Sequence, residues 1–334
     1  MSMLGGPPRW APPPLPVVLP EDDGRQFKNC HALRVPEYPF EPAFQAMSIM
    51  NPDIPLDGVD LILNRNSLRK LLDFAAGKRQ DPFCMDLHMV QDTLFITRKE
   101  KHARMMIHGA ANSGYGHNFE EAFTEPENGL DRSSSHHRVI RYRLGSLDCV
   151  VRFEVDAYLD GANDPSTTST GTTMQSVDNI STLMQRLYVV EPPPNASQGR
   201  STAVIPKGRY IEAAKLAETK ARKSERLNEA MPQLWFGRTP YLLVGKHDKG
   251  VFHSTTCTHV EPQFAKWEDA NQDKLCKLVN LLIELKQAVR ETAKGAGVLV
   301  CEPKGAPLRL FTVRNRVGVL PEDIITKHWS VERT

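Results

Sequence analysis

Hydrophobic positions along this chain follow two periods, one typical of strands and one typical of helices. Short segments rich in Val, Ile, Phe and Tyr predict strands, whereas apolar residues three or four apart predict helices. The predicted strands cover about residues 58–64, 85–90, 92–98, 149–158, 241–247, 250–258, 297–301 and 308–313. A helix capped at Asn66 or Ser67 and closed by Gly77, helical segments on both sides of a Gly-rich break at 114–116, and a long amphipathic helix over about 269–294 complete the pattern. On propensity alone, residues 210–226 also predict a helix, because they are rich in Ala, Glu and Lys.

The predicted strand at 149–158 carries acidic residues on one face. Because side chains alternate along a strand, Glu154 and Asp156 are expected on the same side, with Asp148 and Arg152 if the strand is unbroken. Two close carboxylates repel each other unless a cation joins them. That cation is either a hard divalent metal ion held by oxygen ligands or an Arg or Lys side chain. Taken alone, such a pair also fits an ordinary solvated strand face.

Composition divides the chain into parts. Residues 1–26 are rich in proline, which predicts a disordered arm, and residues 27–330 hold the periodic segments of one folded domain. Within that domain, Ser, Thr, Pro and Gly dominate residues 160–203, which predicts a low-complexity insertion that contributes nothing to the core. The chain is expected to end in a polar tail after the hairpin at 297–313.

Charge and cysteine content narrow the classes of function. The chain has 334 residues and a formal net charge of only +2, so a polyanion would need a local basic groove. Its six cysteines lack Cys-x-x-Cys spacing, which is typical of reduced thiols in an intracellular protein. No apolar run approaches the roughly 18 residues that span a bilayer, and the N-terminal residues lack the pattern of a secretory signal. We therefore expect an intracellular protein, in the nucleus or the cytoplasm, that does not insert into a membrane.

Five short motifs follow one another in an order that indicates a metal-dependent phosphodiesterase. They are Arg65 at a strand-to-helix junction, Gly116-His-Asn-Phe-Glu120, Glu154-Val-Asp156, Glu218-Thr-Lys220, and Gln233 within an apolar segment. Carboxylates in such an enzyme hold one or two Mg²⁺ or Mn²⁺ ions, and a lysine supplies positive charge where negative charge develops. Each motif alone is weak, and their order and spacing carry the signal.

The same set resembles the DXO family of decapping exoribonucleases, which share a PD-(D/E)xK nuclease core. The matching motifs are Arg65 with Leu68-Arg-Lys-Leu-Leu, Gly116 to Glu120, the lead-in Arg143 to Ser146 with Glu154 to Asp156, Glu218-Thr-Lys220, and Met231-Pro-Gln-Leu-Trp-Phe. The resemblance runs from about residue 30 to residue 315. It implies a single large α/β domain in which a central mixed β-sheet is flanked by helices.

The resemblance also implies roles for individual residues. Two Mg²⁺ or Mn²⁺ ions would be held by the side chains of Glu120, Glu154, Asp156 and Glu218 and by the backbone carbonyl of Thr219. In that account Lys220 and Gln233 contact the water or the scissile phosphate, and Arg65 grips an RNA phosphate, for which a planar guanidinium is well suited. The substrates implied are RNA 5′ ends with NAD caps, triphosphates or incomplete caps, and in several relatives the nucleotides that follow.

Two features of the sequence depart from the family pattern and leave alternative interpretations open. Thr219 stands where the family has a hydrophobic residue, and Glu212-Ala-Ala-Lys215 is a competing frame for the Glu-x-Lys motif. A protein of this fold without catalysis would bind RNA ends or support a separate 5′–3′ exoribonuclease. A DNA nuclease with the same core is the third alternative.

Overall fold

The computed structural model describes residues 5–22, 26–27, 38–78, 81–99, 106–107, 114–131, 133, 135–161, 204–224, 226–302, 306–313 and 318–329. Its strands are β1 Arg9–Trp10, β2 Val17–Val18, β3 Gln26–Phe27, β4 Leu61–Asn64, β5 Phe83–Val90, β6 Thr93–Lys99, β7 Met106–Ile107, β8 Thr124–Glu125, β9 His137–Leu144, β10 Leu147–Glu154, β11 Ala157–Tyr158, β12 Leu216–Arg222, β13 Tyr241–Asp248, β14 Val251–His259, β15 Ala296–Cys301 and β16 Arg309–Thr312. Its α-helices are α1 Glu41–Met50, α2 Arg65–Ala75, α3 Gly116–Phe123, α4 Leu227–Gly237, α5 Phe264–Ala270, α6 Gln272–Arg290 and α7 Glu322–His328. No helix in these ranges is both long enough and apolar enough to cross a bilayer.

The strands form two large mixed sheets. Sheet one has the order β2-β14-β13-β12-β11-β1-β8, and sheet two has the order β16-β15-β5-β6-β4-β10-β9. In sheet two, β10 runs parallel to β4 and antiparallel to β9. In sheet one, β12 runs parallel to β13 and antiparallel to β11. The predicted α/β class with helices flanking a mixed sheet is confirmed, and the strands are divided between two sheets.

Sheet two is covered by helices on both faces. Leu68, Leu71 and Leu72 of α2 pack with the apolar stripe of α6 on one face. Phe44 of α1 packs on the opposite face with Trp329, which follows α7. Because both faces are buried there, the first three residues of β4 and the first five residues of β6 are buried without interruption, whereas most of β5 alternates buried and half-buried residues.

Sheet one has a smaller core and shares one helix with sheet two. Phe119 and Phe123 of α3 pack against Phe252 of β14. Met231 of α4 packs against residues of β13, whereas Trp235 of the same helix belongs to the core under sheet two. The helix α4 therefore spans the junction between the two sheets, and Gln233 lies between those two packing contacts in sequence.

Several predicted boundaries are corrected by the structure. The helix α2 begins at Arg65 with Asn64 as its N-cap residue, earlier than the predicted caps at Asn66 or Ser67. Gly77 does follow its last turn in the left-handed conformation, with φ +67°, as predicted. Residues 106–107 form a strand where a helix was predicted before the Gly-rich break, and most of that segment lies outside the described residues.

The two ends of the chain are more ordered than predicted. Within the arm expected to be disordered, residues 5–22 include β1 and β2, and the Trp10 side chain is buried against Phe119 and Phe123. The expected polar tail contains α7 and the buried Trp329. Most of the expected insertion, residues 162–203, lies outside the described part of the chain.

Candidate active site

The candidate site lies where the chain passes from sheet two to sheet one. β10 ends at Glu154, Val155 and Asp156 form a link, and β11 then enters the other sheet. The Val155 N–H donates a 2.9 Å hydrogen bond to the carbonyl of His136, so the link is held beside the start of β9. The single strand predicted for 149–158 is therefore two strands. Glu154 and Asp156 therefore stand on either side of the middle of this crossover and not on one face of an unbroken strand.

β12 brings three consecutive residues to the same place. The helix predicted from propensity is wrong here, because β12 is an interior strand that bonds to β11 on one side and β13 on the other. Propensity differences of about 0.5 kcal/mol per residue are outweighed by two ladders of hydrogen bonds. Glu218 and Thr219 are each 2% exposed, and Lys220 follows them. The competing pair Glu212 and Lys215 flanks a short 3₁₀ turn where both side chains are exposed.

The helix α3 delivers Glu120. Phe119 and Phe123, four residues apart in sequence, lie with their ring centroids 4.4 Å apart in the core under sheet one. Gly245 of β13 makes room for this helix, because a Cβ atom there would lie 2.2 Å from a ring carbon of Phe119. With its neighbour fixed in this way, Glu120 projects to the Thr219 hydroxyl, which donates to its Oε1 atom over 3.3 Å.

Glu218 is the centre of the cluster. Its Oε2 atom accepts a 2.9 Å hydrogen bond from Nη1 of Arg65, the first residue of α2. Its Oε1 atom accepts from Nζ of Lys220 over 2.8 Å and from Nε2 of Gln233. Residues from three separated segments therefore meet at one buried carboxylate.

Thr219 links two further carboxylates. Asp156 Oδ2 accepts from the backbone N–H of Thr219 over 2.9 Å and lies 3.3 Å from its hydroxyl oxygen. The same hydroxyl lies 3.3 Å from Glu120. A threonine hydroxyl has one proton, so it can donate to only one of these two acceptors at a time. The side chain at this position, where the resembling family has a hydrophobic residue, is thus part of the cluster.

Charges in the cluster are unevenly compensated. Burial alone would raise the pKa of Glu218, but the charges of Arg65 and Lys220 lower it to about 2. Burial followed by the neighbouring Glu218 charge raises the pKa of Asp156 well above its ordinary value. Burial likewise raises the pKa of Glu120, where Glu154 and Glu218 add to the effect and Lys220 opposes it. Without a further cation, the protonated forms of Glu120 and Asp156 are therefore favoured relative to an exposed carboxyl group.

Arg69 is a site residue that the sequence analysis did not identify. Its Nη1 atom donates a 2.9 Å hydrogen bond to Oε1 of Gln233, which fixes the orientation of the amide whose nitrogen donates to Glu218. Burial and the nearby Arg65 charge lower the pKa of Arg69. Its position four residues after Arg65 on the same helix face is the signal that could have identified it.

The carboxylates fit a divalent metal ion in donor chemistry and in charge. Oxygen ligands from Glu120, Glu154 and Asp156, with the Thr219 carbonyl, are those that Mg²⁺ and Mn²⁺ prefer. A cation would also stabilise the ionised forms of Glu120 and Asp156, which burial and the neighbouring carboxylates disfavour. In the described part of the chain, however, no group of three or more His, Cys, Asp or Glu side chains is already arranged to hold an ion.

Arg65, Arg152 and Asp148 are each held by contacts within the protein. Arg65 is 7% exposed and its guanidinium lies over the Phe153 ring at 5.2 Å, so it faces the interior of the cluster. Arg152 donates to Asn64 over 2.8 Å, and burial lowers its pKa to about 10. Asp148 pairs with Arg141. Asp148 and Arg152 share a face with Glu154 along the unbroken β10, as expected, whereas Asp156 lies beyond the end of this strand.

Solved structures with a similar fold belong to one family of proteins. Rai1 of S. pombe aligns with a TM-score of 0.57 at 14% identity, over 92% of this chain and 88% of that chain. Rai1 of Candida albicans, in complex with pU5 and Mn²⁺, aligns with a TM-score of 0.55 at 13% identity, over 87% and 81%. Rai1 of Scheffersomyces stipitis, in complex with (3′-NADP)⁺ and a calcium ion, aligns with a TM-score of 0.51 at 15% identity, over 87% and 80%.

These alignments confirm the resemblance to the DXO family at the level of the fold. Identities this low establish the fold alone and do not transfer a reaction. A search of curated proteins finds no match to the sequence. Residues 1–329 match the family described as a domain of unknown function, DUF8563, and the chain therefore belongs to that family.

Proposed function

We propose that this protein is a Mg²⁺- or Mn²⁺-dependent hydrolase that acts on RNA 5′ ends. The proposed substrates are NAD caps, 5′ triphosphates and unmethylated or otherwise incomplete caps, with 5′–3′ exoribonuclease activity on the RNA that follows. The observation that carries this proposal is the convergence of Glu120, Asp156 and Glu218 beside Lys220, at the crossover between sheets that follows Glu154.

The chemistry follows from the charges of the cluster. One or two divalent ions would supply a Lewis acid and lower the pKa of bound water, held by Glu120, Glu154, Asp156, Glu218 and the Thr219 carbonyl. Lys220 brings an ammonium group whose pKa is raised by Glu218 and Asp156 against the effect of burial, so it stays protonated and can stabilise charge on a phosphate. Gln233, oriented by Arg69, adds an amide donor, and Arg65 provides a further guanidinium for a phosphate.

Ligands of the structural relatives support this choice of substrate. The complexes of the relatives contain pU5 with Mn²⁺, 3′-FADP, and (3′-NADP)⁺ with calcium. These are an RNA strand with a 5′ phosphate, dinucleotides joined by a pyrophosphate, and divalent ions. They are ligands of those proteins, and for this chain they define the first compounds to test.

The test is hydrolysis by the purified full-length protein with Mn²⁺. We expect product from 5′-NAD-capped or triphosphorylated RNA, and loss of at least 100-fold in rate for Glu154→Gln, as for removal of a group that stabilises the transition state. Glu121→Gln is the matched control, because Glu121 is exposed next to Glu120. Mn²⁺ should raise the unfolding temperature of the wild type and not that of Glu154→Gln. A wild type without product on either RNA, or undiminished product with Glu154→Gln, contradicts the proposal.

A second candidate is an RNA-end-binding protein without strong catalysis, acting with a separate 5′–3′ exoribonuclease. It is favoured by one observation: both carboxylate oxygens of Glu218 are bonded to protein groups, and the described acidic residues are not preassembled around an ion. RNA binding without Mn²⁺-dependent turnover would support it. A matched DNA substrate separates a DNA nuclease from both, because 2′-hydroxyl contacts distinguish RNA. Placement in the nucleus or the cytoplasm remains a prediction.

A further inference from the structure

A pocket of about 240 Å³ lies at the opposite end of β10 from the carboxylates. It is formed by the turn between β9 and β10, the C-terminal end of α4, and the first half of α6. At Gly145 in that turn φ is +60°, and a Cβ there would lie 3.2 Å from Val279 of α6, so turn and helix are in close contact. The pocket adjoins the candidate active site along α4, because Gln233 lies two residues before Trp235 and a Cβ on Gly237 would lie 3.0 Å from Nη1 of Arg65.

The charges that line the pocket are predominantly positive. Arg143 and Arg238 face one acidic residue, Glu268, and the remaining polar side chains are neutral. Neither arginine forms a salt bridge with a carboxylate in the described part of the chain, although the charge of Arg143 also acts on Asp60. Two guanidinium groups with a single acidic neighbour favour an anion.

The backbone and rings around Arg238 hold its guanidinium in one place. Arg238 ends α4 with φ +50°, a left-handed conformation that is uncommon outside glycine and costs about 1 kcal/mol. Its guanidinium carbon lies 4.2 Å from the ring centroid of Trp235 and 4.9 Å from that of Tyr142. Stacking on aromatic faces leaves the edges of the guanidinium plane available for hydrogen bonds.

Neutral donors and an apolar wall complete the pocket. The amides of Gln272 and Asn280 line it, together with Leu275 and Val279. Trp235 also lines it, and the buried indole N–H of this 2% exposed side chain has no hydrogen-bond partner within the described residues. A buried donor without a partner costs about 1–3 kcal/mol. Few polar groups on an apolar surface are typical of a small-molecule site.

We propose that this pocket binds the phosphate group of a small phosphoester through Arg143 and Arg238. A phosphate accepts paired hydrogen bonds from guanidinium groups, and the Leu275 and Val279 wall can contact the organic part of the ligand. The residues that would hold this phosphate are different from those of the proposed hydrolase site.

The test is titration calorimetry of the full-length protein at low salt without divalent metal, using inorganic phosphate and AMP as probes. We expect both probes to bind, with at least a tenfold loss of affinity for Arg238→Gln. Glu268→Gln should instead bind a few-fold more tightly, because it removes the acidic neighbour. Arg309→Gln is the control, since Arg309 is an exposed strand residue paired with Glu302, and it should leave the affinity unchanged.

The outcomes separate the two sites. Lys220→Gln should retain full binding, because Lys220 lies in the carboxylate cluster. Loss of binding in that variant would place the anion at the cluster and overturn the proposal. Tighter binding of AMP than of phosphate identifies an organic phosphoester, whereas equal binding identifies the free anion; both support the site. The proposal is overturned if wild type binds neither probe with a Kd below about 10 mM. If Arg238→Gln does not fold, the affinities of Asn280→Leu and Glu268→Gln for the two probes are compared with those of the wild type instead.

Discussion

Arg65 and Glu218 form a buried ion pair between the two halves of the site. Their atoms Nη1 and Oε2 are 2.9 Å apart, and the side chains are 9% and 2% exposed. Arg65 begins α2 beside sheet two, and Glu218 lies in β12 of sheet one. The pair therefore joins the sheets at the point where the candidate catalytic residues meet.

Removal of Arg65 should destabilise the protein strongly. Arg65→Met leaves the Glu218 carboxylate buried with less compensation, and the loss expected for one partner of a buried pair is about 3–5 kcal/mol. Urea unfolding with and without the substitution measures it. Arg309→Met, which removes an exposed arginine, should change the unfolding free energy by less than about 0.5 kcal/mol. Equal effects of the two substitutions would show that the buried pair does not join the sheets.

Replacement of Thr219 by valine should destabilise the protein, because the Thr219 hydroxyl is hydrogen-bonded. Thr219→Val keeps the shape but leaves Glu120 and Asp156 without a shared donor, so we expect a loss of about 1–2 kcal/mol in metal-free buffer. Thr256→Val is the matched control, because the Thr256 hydroxyl is buried without a partner among the described residues. That control should be neutral or stabilising, and Thr219→Ser should restore much of the loss. A Thr219→Val protein as stable as Thr256→Val would contradict the assignment.

Loss of the Arg69 side chain should lower the turnover rate, because Arg69 orients the Gln233 amide. Because Arg69 fixes the amide orientation, Arg69→Met should lower kcat about tenfold, equivalent to about 1.4 kcal/mol, with a smaller change in KM. Steady-state kinetics on the RNA substrate with Mn²⁺ measures both constants. Lys78→Met, which removes an exposed cation of the loop after α2, is the control. A change in KM alone would show that Arg69 contributes to binding instead.

His136 should make stability depend on pH in the weakly acidic range. Burial, with the nearby Arg138 and His137 charges, lowers the pKa of His136 to about 3, whereas the unfolded value is 6.5. Between these values the unfolded state binds a proton that the folded state does not, so stability falls as the pH drops below 6.5. The contribution is about 2 kcal/mol from pH 7 to pH 5.

The His136 contribution can be separated from that of other groups by difference. Burial also lowers the pKa of His247 and His328, so the wild-type curve contains their contributions too. His136→Gln cannot titrate, and its unfolding free energy should change less steeply between pH 7 and pH 5. Parallel curves for the two proteins would show that His136 is accessible to protons in the folded state.

Trp329 should be needed for stability despite its place near the end of the chain. Its ring lies 5.8 Å from Phe44 and 5.6 Å from Phe95, and its indole N–H donates to the Thr93 hydroxyl over 2.9 Å. Trp329→Ala should cost about 3–5 kcal/mol in urea unfolding. Trp329→Phe keeps most of the packing and should cost clearly less. A negligible loss for the alanine variant would mean that residues after β16 do not belong to the core.

Local sequence patterns predicted the elements that are fixed by local contacts. The strand-to-helix junction at Arg65, the buried pair Phe119 and Phe123, and the long helix α6 follow from spacing, because a residue three or four positions away decides which face is buried. The strands β13 and β14 follow from their apolar character and their tight turn. These features need no knowledge of the distant parts of the chain.

Distant contacts decided the remaining features. Residues 216–222 have helix-favouring composition but form β12, because only the folded chain offers ladders on both sides. Arg69 was missed for the same reason, since its partner Gln233 is 164 residues away. Trp10 has few apolar neighbours in sequence, and its burial depends on α3.

The sequence by itself determined the set of acidic, basic and amide residues, their order, and through a family resemblance the kind of fold that holds them. Only the tertiary structure decided that Glu154 and Asp156 lie at a crossover between two sheets, and that Arg65, Lys220 and Gln233 share one carboxylate. The physical reason is that charges interact over a few ångströms in space, whatever their separation along the chain. Their pairing is therefore fixed by packing of the two sheets and not by local spacing.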